Sequence, residues 1–158
     1  MERKAIQPDK IVIKEFRLIK GQLDSPYEFR ITGIKSFDFK VDLGTGVNLV
    51  ENLVKADFTI HVSTKSAENS IEATGSYHLV FIFFVELLNE HAVVLEDGTI
   101  DWNPYLANAI ASITYSTSRG ILWSRFQGTV MEDFILPVVD PNVLLQNGNG
   151  QLNVQLQK

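Results

Sequence analysis

The chain has 158 residues, a formal net charge of −5 and no cysteine. Its length suits a single domain with a substantial core, and the lack of cysteine excludes a disulfide scaffold, a Cys-ligated zinc site and thiol catalysis. The acidic balance argues against nucleic acid as a partner, because phosphate binding requires a concentrated basic surface.

No signal peptide is predicted at the start of the chain. Arg3 and Lys4 are followed by Gln7, Pro8 and Asp9, which interrupt any apolar segment. We therefore expect a cytoplasmic protein, and the absence of disulfides fits that reducing compartment.

Two strands are predicted in the first third of the chain. Lys10–Ile19 combines β-branched residues with apolar–charged alternation, and the turn residues Asp24-Ser25-Pro26 follow it. In Phe37–Leu43, four apolar residues alternate with three charged ones, which places every apolar side chain on one face of a strand. We expect this strand to be half buried in an antiparallel sheet and to end at Gly44-Thr45-Gly46.

Two more strands are predicted, joined by a polar loop at 65–70. Leu53–Ser63 alternates apolar and polar residues, whereas the second half of Ile71–Leu88 is apolar on both faces. Such a segment must be covered on both sides, so we expect a helix on one face and another layer or a partner subunit on the other. Its apolar run, Leu79–Val85, is far shorter than the roughly 20 residues of a membrane helix, so no membrane insertion is expected.

The strongest helix signal begins at Asn103 and Pro104. An asparagine side chain can accept a hydrogen bond from a free N–H at a helix start, and proline at the first helical position loses no needed donor. Arg119 and Gly120 are typical of a helix end. Between them, apolar and small residues follow at helical spacing: Leu106, Ile110, Ile113 and Thr117.

The rest of the chain is predicted to contain an apolar crossing segment and one short helix. Ile121–Val139 lacks helical periodicity and is interpreted as an extended loop or a short strand. Asp140-Pro141 opens a short helix that runs through Leu145, and glycines at 148 and 150 stop it. We expect a single domain over residues 1–158, with 1–9 and 147–158 flexible.

No arrangement typical of an active site is recognisable. The three histidines, His61, His78 and His91, adjoin neither a nucleophile motif nor a metal-ligand spacing. A metal pair of His61 and His78 would require a register that places them opposite each other. Asp38 and Asp42 have a lysine between them, which is typical of a solvated strand face rather than of a glycosidase pair. No catalytic residue, metal or cofactor is predicted, and a binding protein is favoured over an enzyme.

Several short motifs resemble the SecB family of export chaperones. They are the helix start Asn103–Ile113, the helix end Ser118-Arg119-Gly120 and the proline-containing loop Leu136–Asp140, after an order of four strands. The resemblance spans residues 10–145. It implies an α+β fold in which a four-stranded antiparallel sheet carries one long and one short helix on one face. It also implies a homotetramer, built as a dimer of dimers, that holds unfolded preproteins in apolar grooves without a cofactor and passes them to the SecA motor.

The resemblance also assigns roles to residues. The oligomer interface on the long helix would contain Leu106, Ile110, Ile113 and Thr117. The peptide-binding groove would be lined by Trp123, Phe126, Phe134, Leu136 and Val138. Asp24 and Glu72 fall near two of the acidic positions at which the family docks SecA, whereas Lys20 stands where a third acidic residue is expected.

Three functions are open from the sequence. The first is ATP-independent binding of unfolded or precursor polypeptides for export. The second is an adaptor or interaction module, or a SecB-like chaperone dedicated to one partner such as an antitoxin. The third is an enzyme with a lipophilic pocket, which no acid–base constellation in the sequence supports.

Overall fold

The structure is a computed structural model that describes residues 4–146 and 151–157. These residues form an α+β fold, in which a five-stranded antiparallel sheet carries two helices on one face and a two-stranded hairpin is separate from it. The strands are β1 (Ile11–Asp24), β2 (Ile34–Asn48), β3 (Leu53–Ser66), β4 (Thr74–Val85), β5 (Ala92–Val94), β6 (Ile100–Trp102) and β7 (Gln151–Gln157); the helices are α1 (Pro104–Phe126) and α2 (Pro141–Gln146).

The large sheet has the strand order β1-β4-β3-β2-β7. The four long strands and the two helices confirm the predicted fold class. The apolar residues of Phe37–Leu43 are buried and the charged residues between them are partly exposed, as the alternation predicts. The short β7 is an addition to the four strands expected, and it pairs with β2 at one edge of the sheet.

The core lies between the sheet and α1. Aromatic rings connect the two layers: Phe58 contacts Tyr115 at 6.0 Å between ring centroids, and Tyr77 contacts Phe126 at 5.4 Å. Both contacts are edge-on, the arrangement that aromatic quadrupoles favour. Burial of each such ring contributes about 2–3 kcal/mol, so these contacts hold α1 firmly against the strands.

Helix α1 begins where the sequence predicts but ends later. The Asn103 side chain accepts a hydrogen bond from the Tyr105 N–H at 3.0 Å, which confirms the cap. The predicted end at Arg119-Gly120 is wrong, because Leu122 and Phe126 continue the buried stripe of the helix. Their burial outweighs the roughly 1 kcal/mol that a glycine costs inside a helix. The helix ends before Gly128, whose φ of +76° is left-handed.

No helix in the described ranges, 4–146 and 151–157, is long and apolar enough to cross a membrane.

The strands also differ from their predicted bounds. β2 does not end at Gly44-Thr45-Gly46, because these residues stay paired with β3. The turn comes later, where the Asn48 side-chain oxygen accepts hydrogen bonds from the N–H groups of Val50 and Glu51. β4 is shorter than the predicted Ile71–Leu88.

Both ends of the described chain contact the rest of the subunit, and their predicted flexibility stays a prediction. Lys4 forms an ion pair with Glu90 at 2.7 Å, and its carbonyl accepts a hydrogen bond from the Asn103 side chain. At the other end, 151–157 forms the strand β7, which pairs with β2. The parts of the flexibility prediction that concern residues 1–3, 147–150 and 158 lie outside the described residues.

Candidate functional site

β1 is an edge strand with exposed apolar side chains. It pairs with β4 on one side, and no described strand lies on its other side. Ile13 and Phe16 lie opposite Phe83 and Phe81 on the helix side of the sheet, yet they remain exposed, so the helices of this chain do not cover them. Long apolar edges are templates for pairing with another chain. This strand is therefore a candidate contact with a second polypeptide.

The opposite face of the sheet is apolar at the same corner. Val12 lies opposite Phe84 on that face, and both are exposed. Nearby, Ile19, Val80 and Ile82 line a shallow depression together with polar and charged residues, which are Glu15, Arg17, Lys55, Asp57 and His78. The helices cover one face of Leu79–Val85, as predicted, and no element of the described chain covers the other face here. The exposed apolar surface of the β1–β4 corner thus extends over both faces of the sheet.

The outward face of α1 contains small residues between two exposed aromatic ones. Tyr105 and Trp123 are exposed near its two ends, and the residues between them permit another helix to approach closely. These small residues are Ala109, Ser112, Ser116 and Gly120. Of the predicted interface residues, Ile113 and Thr117 are half-buried, and Ile113 also packs against the core.

The other two predicted interface residues, Leu106 and Ile110, are buried in the core of their own subunit. They begin a stripe along α1 that continues through Thr114, Ser118 and Leu122 and faces the sheet. Because Thr114 and Ser118 are polar, the sequence pattern does not predict that this stripe is buried. In the described chain Leu106 and Ile110 therefore stabilise the subunit and offer no surface to a neighbour.

The crossing segment, residues 127–140, is anchored by aromatic contacts. The Phe134 ring lies 5.5 Å from Phe37, 5.6 Å from Phe39 and 5.9 Å from Phe126. The Tyr115 hydroxyl donates a hydrogen bond to the Pro137 carbonyl at 2.7 Å. Burial raises the pKa of that tyrosine to about 12, so the hydroxyl stays protonated as a donor at neutral pH.

In the described subunit, the predicted groove residues fall into a buried group and an exposed group. Phe126, Phe134 and Leu136 belong to the core, with 1%, 1% and 3% of their surface exposed. The other predicted groove residues, Trp123 and Val138, are exposed by 52% and 85%. Phe126 and Phe134, to which the resemblance gives a groove role, thus hold the crossing segment in place.

Two further exposed residues were missed by the sequence analysis. Ile135 follows Phe134 on the other side of the extended chain, and Leu145 lies on α2. The run Phe-Ile-Leu at 134–136 is apolar throughout, so the sequence did not show which of the three residues is exposed. We call Ile135, Val138 and Leu145 the crossing-segment surface.

The predicted docking residues lie at one end of the sheet. Asp24 is exposed and lies opposite Thr74, two positions from Glu72. Glu72 accepts hydrogen bonds from the Thr64 hydroxyl at 2.6 Å and from the Ser66 N–H at 2.8 Å. Burial alone would raise the pKa of Glu72, but these hydrogen bonds outweigh it and the pKa is lowered. The carboxylate thus stabilises the β3–β4 connection, and its docking role stays a prediction.

We expect Glu72→Gln to reduce the free energy of unfolding by about 1 kcal/mol at neutral pH, because the amide loses charge-assisted hydrogen bonds. The folded pKa of Glu72 lies below its ordinary value of 4.5. Its contribution is therefore complete above that pH and is lost as the pH falls through the folded value. Urea denaturation at several pH values measures this, with the exposed Glu68→Gln as control. If the difference in the free energy of unfolding between the wild type and Glu72→Gln stayed constant into strong acid, the stabilising role of the Glu72 carboxylate would be contradicted.

The histidines do not assemble an active site. The His61 ring contacts the Ser76 hydroxyl at 2.8 Å, whereas the His78 ring contacts the Asp57 carboxylate at 2.8 Å. The Ser76 hydroxyl and the Asp57 carboxylate therefore contact two different histidines, so these contacts do not form a Ser-His-Asp arrangement. His78 lies opposite Thr59 and His61 opposite Ser76, so the register does not place the two histidines directly opposite each other. Across the residues that the structure describes, no group of three His, Asp or Glu residues could hold a metal ion.

Comparison with known proteins gives a structural match and no sequence match. No protein-family profile and no curated protein sequence matches the chain. Among solved structures, the fold is similar to the SecB-like chaperone Rv1957 of Mycobacterium tuberculosis, solved in complex with a ChAD peptide from the Rv1956 HigA1 antitoxin. The TM-score is 0.59 at 13% identity, over 83% of this chain and 91% of that chain. The predicted SecB-like fold is confirmed.

Proposed function

We propose that this chain, whose fold is SecB-like, is a non-catalytic, ATP-independent chaperone that binds unfolded or precursor polypeptides on exposed apolar surface. The observation that supports this most directly is the crossing-segment surface. Its three side chains are exposed, whereas the nearby Phe134, Leu136 and Leu144 are buried. A client that covers them gains about 25 cal/mol for each Å² of apolar area removed from water.

The anchored segment makes this surface suitable for weak and general binding. Phe134 and Leu144 are fully buried, so the chain between them is held with Ile135 and Val138 facing outward. A surface that is ordered before binding loses little conformational entropy when a client arrives. The Asn108 side chain donates a hydrogen bond to the Asn142 side chain at 3.0 Å, which fixes α2 against α1.

We expect the double change Ile135→Ser and Val138→Ser to weaken client binding about tenfold, which corresponds to 1.4 kcal/mol of lost apolar burial. Both side chains are exposed, so the free energy of unfolding should change little. The measurement is suppression of aggregation of a chemically denatured protein, with solution mass as a check on assembly. Val50→Ser, at a residue 91% exposed in the β2–β3 turn, is the matched control. Unchanged suppression in the double variant would refute the role of this surface.

A second candidate is a chaperone dedicated to one partner. It is favoured by the similar Mycobacterium chaperone, which is solved with an antitoxin peptide. A peptide array distinguishes the two functions. Broad binding to apolar and aromatic peptides supports a general chaperone for export, whereas binding confined to one sequence supports a dedicated chaperone or an adaptor.

We further propose assembly into a homotetramer. The open β1 edge would join two subunits through a continuous sheet, since its apolar residues are exposed on both faces. The outward face of α1, with Ile113 and Thr117, would join the resulting dimers. The two surfaces are separate, as a dimer of dimers requires.

The remaining parts of the proposal concern location and a further partner. A cytoplasmic chaperone for export would meet unfolded preproteins before they reach the SecA motor. Asp24 and Glu72, which lie at one end of the sheet, are the proposed acidic docking positions. Charge reversal at the exposed Asp24 tests docking more cleanly than a change at Glu72, because Glu72 is also hydrogen-bonded within the subunit.

A further inference from the structure

β7 occupies only part of the outer edge of β2. β2 is paired with β3 from Ile34 to Asn48, whereas its pairing with β7 extends only from Ser36 to Asp42. In the described chain, the edge from Leu43 to Asn48 has no strand partner. The backbone of that part is therefore open to hydrogen bonding by another extended segment.

β7 has the pattern of a peptide bound at a sheet edge. Its sequence, QLNVQLQ, alternates amide and apolar residues. The register places Leu152, Val154 and Leu156 opposite three inward-facing apolar residues of β2, which are Val41, Phe39 and Phe37. Leu156 is partly buried and packs against the core. Main-chain pairing provides affinity and alternate side chains provide specificity in this mode of recognition.

The open half of the edge provides a route for exchange. An antiparallel client longer than β7 can first pair with Leu43–Asn48 through residues that precede its match to Gln151. Pairing can then advance along β2 while β7 leaves, so each backbone hydrogen bond lost is replaced by another. Because the backbone contribution nearly cancels, the alternate side chains determine which strand stays.

We infer that the β2 edge, Ser36–Asn48, is a second polypeptide-binding site, and that β7 is an internal competitor for it. The ligand class is an extended polypeptide with apolar residues at alternate positions. This inference rests on the proposed function, because it names a client class and a means of regulating client binding. A client without the alternate pattern would leave β7 in place and bind only to the apolar surfaces elsewhere.

The test compares the full chain with a variant that ends at Gln146. The probe is a fluorescent peptide that carries the sequence of 151–157, preceded by alternating valine and threonine residues long enough to pair with Leu43–Asn48. If β7 is docked nine-tenths of the time, its removal tightens probe binding about tenfold. In the full chain, Leu156→Asn should also tighten probe binding. The control Asn153→Thr, at a position opposite Lys40, should leave probe binding unchanged.

A reversible lock tests the same inference without shortening the chain. Asp38 lies opposite Gln155, and the chain has no other cysteine. Oxidation of an Asp38→Cys and Gln155→Cys variant should hold β7 on the edge and weaken probe binding, and a reductant should restore it. The reduced form of the same variant is the matched control.

The outcomes separate the two hypotheses. Equal probe affinity in the full, shortened and locked chains, with binding retained, overturns the inference and leaves the proposed function standing. A fall in solution mass on shortening, without a change in affinity, also overturns it, because β7 would then act between copies of the chain. If no form binds the probe or a denatured protein, the proposed function fails and the inference fails with it.

Discussion

Phe134→Ala is expected to lower the free energy of unfolding by about 4 kcal/mol, within the roughly 3–5 kcal/mol typical of buried phenylalanine. The ring is 1% exposed and contacts the rings of Phe37, Phe39 and Phe126. Its removal leaves a cavity between the crossing segment and β2 that the rigid sheet cannot close. Urea denaturation measures the loss, and an unchanged m-value would show that the unfolding transition still exposes the same surface.

Val138→Ala is the matched control for this prediction. It lies in the same segment but is 85% exposed, so we expect a change within about 0.5 kcal/mol. The comparison also distinguishes a core role for Phe134 from the groove role that the family resemblance implies. If Phe134→Ala lowered the free energy of unfolding by less than about 1 kcal/mol and also weakened client binding, Phe134 would line an open groove instead of the core.

The second large effect concerns assembly through β1. We expect the wild-type chain to have a solution mass near four times 17.8 kDa. The double change Val12→Asp and Ile13→Asp should reduce that mass to smaller species. Both side chains are exposed in the single subunit, and they lie on opposite faces of the edge strand. Carboxylates there would have to be desolvated in a continuous sheet, at a cost of several kcal/mol.

Lys14→Glu is the control for charge. It changes the net charge by the same amount as the double variant on the same strand, but it removes no apolar side chain. Lys14 falls at a register shift between Ile13 and Glu15 and is exposed, so we expect the mass to remain that of the wild type. Light scattering coupled to gel filtration measures all three forms. Equal masses for the wild type and the double variant would show that β1 is not an assembly surface.

Local patterns determined the elements of this fold. The alternation in Phe37–Leu43 predicts a strand with one buried face because successive side chains of any strand point to opposite sides. The cap at Asn103-Pro104 predicts the start of α1 because the bonding needs of a helix start are local. These features depend on backbone geometry within a few residues, and the structure confirms them.

Tertiary packing decided what local pattern could not. Arg119-Gly120 is a typical helix end, but α1 continues because Leu122 and Phe126 reach a pocket built by distant strands. Likewise Phe134 and Val138 have similar local surroundings in the sequence, and only the position of β2 buries one and exposes the other. Whether an apolar residue belongs to the core or to a binding surface depends on which elements cover it. That coverage is set by contacts between residues far apart in the chain. The sequence by itself therefore predicted the centres of the four long strands and the start of α1, whereas the tertiary structure decided where these elements end, the added strand β7 and the site.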